Sequence, residues 1–382
     1  MAFLLLSLGE VGQAKELRRS MGFIRPFLMG GAYVAVADDA SVLFYNPAGL
    51  AALPVAVAEV FGLQINVDEL LRQSTVDPTV LDTAFADLSA ENFEDFLGET
   101  FFSGFSLRLP FIFRTDSGVA FGLGAEVLAS IEFLKNPVLP GVRVEFFSDT
   151  LIFLSMFYKL TDRFYFGWTP KLIRRVGIDK TFSVGELFAS GGEVNVDNDP
   201  AMLAVSEGDT HDQFGVDLGF LYKIPHWPGW FPRVGMSVLN VGGMESGKMT
   251  GMEFGPRPNN YSPPQAGELP QINTIGFAVS PVFSGVRYTI AADLVDFTKT
   301  VLPGDNLALR SRIGLEVGFG GRDDGAPLVA LLAGFNATHP SFGIMTRVSI
   351  FQIGFGIYTV EMGQQPGDQP DTRAFLLFSI RI

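Results

Sequence analysis

Ten ionisable side chains fall on the minor, glycine-rich face of alternating apolar segments: Arg108, Glu126, Lys171, Arg175, Asp217, Arg287, Asp293, Arg312, Glu316 and Arg347. A charge buried without a partner is very costly. These residues therefore pair with one another, anchor another segment of the chain, or meet water and ligand. The six cations Arg108, Lys171, Arg175, Arg287, Arg312 and Arg347 are the candidates to hold such a segment or to receive a carboxylate head group. Catalytic sets are harder to find. His211, His226 and His339 lie far apart without metal-ligand spacing, and no nucleophile elbow is present; Ser117 and Ser148 have no catalytic neighbours in the sequence. Gly318-Phe319-Gly320-Gly321 lacks the lysine and helix of a phosphate loop, and turn glycine is the better reading. Asp197-Asn198-Asp199 offers oxygen ligands of the kind calcium takes, but an ordinary acidic, solvated loop is the better reading. With no cysteine there is neither disulfide nor thiolate metal site. The expectation is a non-enzyme with no cofactor and no metal.

What positions these charges is a period of two. Phe214, Val216, Leu218, Phe220 and Tyr222 alternate with Gly215, Asp217, Gly219 and Leu221. Ile313 to Phe319, Phe351 to Ile357 and Val119 to Ala125 repeat the pattern, with one large apolar face and one face of glycine, small or charged residues. A strand sends these two sets to opposite sides. Alternation alone fits a soluble sandwich or a membrane barrel. The composition favours the barrel: 43 glycines, 37 phenylalanines, 18% charged residues and a mean hydropathy of +0.28. No run approaches the roughly 18 apolar residues of a spanning helix, and the other way to satisfy backbone groups in lipid is a closed barrel. The net charge of −14 argues against nucleic acid.

Fourteen strands are expected, at about 55–65, 101–113, 117–133, 143–160, 163–178, 210–224, 231–242, 270–281, 285–299, 308–321, 326–336, 340–348, 349–361 and 371–382. Their connections largely alternate long and short, as in transmembrane barrels with short periplasmic turns and long external loops. An even count puts both termini on the periplasmic side. The last strand ends at Ile382 rather than at the aromatic residue common in outer-membrane barrels. The loop 66–100 reads as two short amphipathic helices with acidic faces. Residues 1–14 read as the remnant of a signal peptide without a basic start.

Before any strand comes MGGAYVAVADDASVLFYNPAGL, Met29 to Leu50, a poor helix and an odd strand. Gly30 and Gly31 permit close packing, Asp38 and Asp39 suit helix capping or pairing with arginine, and Asn46 and Pro47 suit a turn leading into Ala48 and Gly49. The pattern resembles the N-terminal plug of the FadL-type outer-membrane transporters, a superfamily that includes TodX-like channels, and of the related PorV-like barrels. The resemblance rests on Gly30-Gly31, Ala37-Asp38-Asp39-Ala40 and Asn46-Pro47-Ala48-Gly49, is strongest over 20–53, and extends loosely over the strand pattern. It implies a plug at 15–54 inside an all-β, fourteen-stranded antiparallel transmembrane barrel at 55–382. It also implies an outer-membrane location and, as the function, passive uptake of hydrophobic molecules such as long-chain fatty acids by a monomer. The alternative is a PorV-like barrel that binds secreted or surface proteins. A plain loop leading into the first strand is the other reading of 15–54.

Overall fold

The computed structural model describes residues 22–53, 59–68, 100–113, 119–134, 141–183, 209–225, 227, 229–245, 248–249, 269–302, 306–321, 327–361, 366–367 and 370–381. The expected signal-peptide remnant and the Asp197-Asn198-Asp199 loop lie outside these residues; of the expected loop 66–100, residues 66–68 and 100 are strand, and the rest, with its expected helices, lies outside them.

Alternating apolar residues give fourteen strands: β1 (Glu59–Asp68), β2 (Thr100–Phe113), β3 (Val119–Leu134), β4 (Gly141–Lys159), β5 (Phe164–Ser183), β6 (Asp209–Lys223), β7 (Arg233–Leu239), β8 (Ile272–Val279), β9 (Val286–Val295), β10 (Ser311–Phe319), β11 (Val329–Asn336), β12 (His339–Val348), β13 (Phe351–Glu361) and β14 (Pro370–Arg381). Each is antiparallel to its neighbours, and β14 closes the barrel on β1 through Leu63 opposite Phe378 and Ile65 opposite Leu376. Closure matters because an open strand edge leaves a row of backbone groups unpaired.

The two faces separate as the alternation requires. On β10 Ile313, Leu315 and Phe319 are exposed while Gly314, Glu316 and Gly318 are buried; on β13 Phe351, Ile353 and Phe355 are exposed over buried Gly354 and Gly356. The large residues therefore point away from the lumen, the reverse of a soluble sandwich. The wall is uneven in height. β4 and β5 have 19 and 20 residues, whereas β7 and β8 have 7 and 8.

The core of the molecule is the N-terminal segment. Residues 22–53 supply most of the buried apolar cluster, including Leu28, Met29, Tyr33, Leu43, Tyr45 and Leu50, each at most 2% exposed. They form α1 (Ile24–Leu28), α2 (Val42–Tyr45) and a 3-10 helix, Pro47–Ala52. The end of α1 explains the paired glycines. Gly31 N donates to Pro26 O at 2.8 Å and Gly30 N to Phe27 O at 3.0 Å, the two bonds of a Schellman cap. Gly30 takes φ +62° and Gly31 φ +82°, conformations that favour glycine.

Candidate functional site

The seam between this segment and the barrel wall is built on bare backbone. Four cross-strand pairs of glycines face inward: Gly167 opposite Gly219, Gly235 opposite Gly276, Gly314 opposite Gly334, and Gly343 opposite Gly356. Pro47 and Ala48 lie against the first pair so closely that a methyl on Gly167 or Gly219 would collide with their backbone. Val34 and Ala35 press on Gly235, Met29 and Gly30 on Gly314 and Gly334, and the Leu28 side chain fills the hollow over Gly343 and Gly356. Gly276, the partner of Gly235, is instead overlain by the Asp293 side chain. At the other seven of these glycines the plug lies on the wall, for the most part backbone to backbone.

Polar bonds fasten what the glycines admit. Asp293 Oδ2 accepts the backbone N–H groups of Tyr33 and Val34 at 2.7 and 2.8 Å. Ser341 Oγ accepts from Gly30 N at 3.1 Å and donates to Leu28 O at 3.0 Å. Asn46 folds on its own chain as its sequence suggests, accepting from Ala48 N at 3.1 Å as the cap of the 3-10 helix. It also does more. Its Nδ2 donates to Val34 O at 2.8 Å and to Phe220 O on β6 at 3.0 Å, so one fully buried amide holds the turn, the plug and the wall together. Gly49 is required beside it, since a Cβ there would strike Ala37.

The electrostatic centre is Arg25. Its guanidinium forks onto Glu316 of β10, with Nε to Oε2 at 2.5 Å and Nη2 to Oε1 at 2.9 Å. Its Nη1 donates to Asp38 Oδ1 at 2.6 Å, to Tyr33 Oη at 2.6 Å and to Asp39 Oδ2 at 3.2 Å. Arg287 stands behind with Nη2 3.9 Å from Asp38 Oδ2 and 3.8 Å from Glu316 Oε1. Arg233 donates to Val36 O at 3.1 Å and Ser280 Oγ at 2.9 Å. Three guanidiniums thus balance three carboxylates. Burial alone would push the Asp38 carboxyl up, but Arg25, Arg287 and Arg233 outweigh it and hold the pKa well below the usual carboxylate value. Burial raises the Tyr33 phenol well above its ordinary value, against the pull of Arg25.

The six cations expected in the lumen divide. Arg108 donates to Gly22 O at 3.4 Å and its guanidinium lies 4.0 Å from the Phe23 ring centroid, so it holds the start of the plug. Arg287 belongs to the cluster just described, and Arg312 lies beside Gly31 while donating to Leu309 O and Ser311 O at 2.7 and 2.9 Å. Lys171 pairs with Asp217 at 2.8 Å and Arg175 with Asp149 at 2.6 Å, wall to wall on the tall side. Arg347 is buried on β12 near its turn into β13. Gly30, Gly31, Asp38, Asp39, Asn46, Pro47, Ala48 and Gly49 all come together inside the barrel. Asp39 Oδ1 accepts from Ser41 N at 2.9 Å just ahead of α2. Sequence reasoning passed over Arg25, Tyr33 and Arg233. Arg25 carried a signal, being the single charge between Gly22 and Ala37. His339 meets Glu361 at 2.8 Å at the far rim and takes no part in the seam.

This geometry makes three predictions. Arg25→Met takes the fork from Glu316 and the short bond from Asp38 and leaves these buried carboxylates the longer Arg287 contacts, 3.8 and 3.9 Å, a loss of up to about 3–5 kcal/mol from plug docking. A cysteine at Ala40, 2% exposed, should then react quickly with a bulky maleimide while the barrel keeps its heat-modifiable gel mobility; unchanged protection would refute the hub. Gly219→Val drives a side chain into Asn46 and Pro47 and should expose the same cysteine, whereas Gly321→Val, which meets nothing within 4 Å, should not. Finally, the Asp38 contribution is complete above its usual value near 4 and is lost only as pH falls below it. Cysteine protection should be flat between about pH 5 and 8 and fall in stronger acid; a midpoint near neutrality would contradict the assignment.

No protein-family model matches the sequence, and no curated protein matches it. Solved structures do. A deletion mutant of the TodX monoaromatic hydrocarbon channel superposes with a TM-score of 0.52 at 13% identity, covering 95% of this chain and 98% of that one. The Pseudomonas putida toluene transporter TodX superposes at 0.50 and 14% identity, over 96% and 99%. At such identity the likeness speaks for architecture, and the architecture agrees along nearly the whole of both chains: this chain has the fold of the FadL-type outer-membrane transporters.

Proposed function

We propose that the protein is an outer-membrane channel for passive uptake of hydrophobic molecules, with long-chain fatty acids as the first substrate class and small aromatic hydrocarbons as the second. The observation that carries this reading is the plug: a buried segment of the chain itself fills the lumen, and its contacts with the wall are hydrogen bonds, ion pairs and van der Waals contact with glycine, all of them reversible. The outer surface supports the membrane. Two exposed ion pairs, Lys159 at the end of β4 with Asp162 in the following turn at 2.7 Å and Arg174 of β5 with Asp212 of β6 at 2.7 Å, bracket an outward stretch of β5 from Phe164 to Leu172. That is about the length a tilted strand needs to cross a bilayer, roughly 9–11 residues. The fold shared with a toluene transporter supports a hydrophobic cargo. On this reading the short-turn rim and both termini face the periplasm.

Asn46 is where the plug can be loosened without touching the barrel. Asn46→Ala removes three hydrogen bonds, each worth about 1 kcal/mol net, while the strand ladder stays intact. Uptake of a labelled long-chain fatty acid and of toluene should be measured in cells lacking their own transporter, at matched outer-membrane levels. Wild-type uptake above background, altered in Asn46→Ala, is the expected result. No uptake of either cargo by the wild type would remove the channel reading and leave a barrel that binds secreted proteins.

A further inference from the structure

The strongest unexplained feature outside the lumen is a pair of turns at the short-turn rim. The turn 224–232, between β6 and β7, reads IPHWPGWFP, and the turn 280–285, between β8 and β9, reads SPVFSG. Neither contains an acidic residue, a lysine or an arginine. Trp227 and Phe231 are 58% and 59% exposed, Val282 and Phe283 are 53% exposed, and Trp230 is 45% exposed. These are not loose tips. Ile224 N donates to Pro232 O at 2.9 Å, Trp230 N to Trp227 O at 3.2 Å, and Tyr288 N to Pro281 O at 2.9 Å. Ser280 N donates to Trp230 O at 2.8 Å and so ties the two turns together. The Trp230 and Phe283 rings meet edge to face at 6.2 Å, and Phe283 continues to Tyr288 at 6.0 Å.

We infer that these turns form one foot that lies in the bilayer interface and completes the apolar belt where the wall is too short to do so. The inference rests on the membrane reading above. The strands behind the foot set the need. β7 has 7 residues, and a strand of that length tilted by about 40° rises roughly 18 Å, short of an apolar band about 25 Å tall. A deficit of that size must be met by thinning the bilayer or by apolar groups beyond the strand ends. The foot is continuous with the outward face of the same strands through exposed Tyr222, Phe277 and Ile290. Tryptophan suits such a place because its ring is apolar and its N–H still reaches headgroups and water. A lipid interface fits a rigid, uncharged aromatic surface of this kind better than a charged protein partner does.

The chain has three tryptophans, which makes the test self-calibrating. Trp168 alternates with buried Gly167 and Thr169 on β5 and so faces outward within the belt. Three single-tryptophan variants, made by Trp→Phe at the other two positions, are reconstituted in phosphatidylcholine vesicles. Their emission is quenched in turn by lipids brominated near the headgroup, by lipids brominated near the chain ends, and by aqueous iodide. Trp227 and Trp230 should be quenched by the shallow bromines and lose iodide quenching relative to the same protein in urea, while Trp168 responds to bromines and is indifferent to iodide. If Trp168 behaves so but iodide reaches Trp227 and Trp230 and bromines do not, the foot is wrong and the turns face water or a partner protein. If bromines leave Trp168 untouched as well, the barrel is not membrane-embedded and both readings fall.

Discussion

The buried guanidinium of Arg25 is the constraint from which the arrangement of the lumen follows. A cation sealed between a plug and a wall is tolerable only with its hydrogen bonds complete. Arg25 obtains them from both sides, Glu316 on the wall and Asp38, Asp39 and Tyr33 on the plug. Because the acids lie 13 and 14 residues further along the plug, their meeting at Arg25 folds Arg25 to Asp39 into a loop whose only charged groups turn to one point. The fork onto Glu316 then fixes that loop against β10. Arg287 and Arg233 complete the neutralisation of the carboxylates that Arg25 alone would leave over-balanced. The docked plug is an electrostatically closed unit, and moving it away from the wall uncovers charges of both signs at once.

Close approach is the second requirement, and it explains a composition that electrostatics cannot. The same segment that carries the hub must come near enough for Asn46 to reach Phe220 O and for Tyr33 N and Val34 N to reach Asp293. Side chains on the wall would hold it several ångströms away. Glycines placed directly opposite one another on adjacent strands clear a hollow two strands wide at three places around the barrel, and at a fourth pair Gly235 takes the plug while Asp293 covers Gly276. Glycine in a strand weakens it, so the barrel accepts a local loss in the wall for contact with the plug. Elsewhere on the inner face buried charges are paired, as Lys171 is with Asp217, which avoids the penalty of an unpaired buried charge.

Much of this was legible before any coordinates. Strand number, antiparallel order and the outward direction of residues such as Ile313 and Phe355 follow from period two, because a one-residue error in facing would put glycine and charge in lipid. Placing Gly30 to Gly49 in the lumen followed from resemblance and from the poverty of that stretch as helix or strand. The self-capping of Asn46 was legible because it is local. Its bond to Phe220, 174 residues away, was not, since it depends on register and on the depth of the plug. The glycine pairs were hidden for the same reason: each glycine is visible in the sequence, but its partner across the ladder is not. Arg25 lies outside the alternating segments, so period two does not mark it, although a lone cation in an apolar run is itself a demand for a buried acid.

The uneven wall links the inside of the molecule to its outside. At β5 and β6 the plug meets Gly167 and Gly219, close to the short turns, and both strands continue far beyond it. At β10 and β11 it meets Gly314 and Gly334 in strands that end soon afterwards. The tall side of the wall carries Lys171, Arg175, Asp149 and Asp217, which pair with one another. Charges paired in this way offer little to a polar solute, which would have to replace a short ion pair to bind. The charges divide by place: wall pairs with wall on the tall side, and plug pairs with wall where Arg25 meets Glu316.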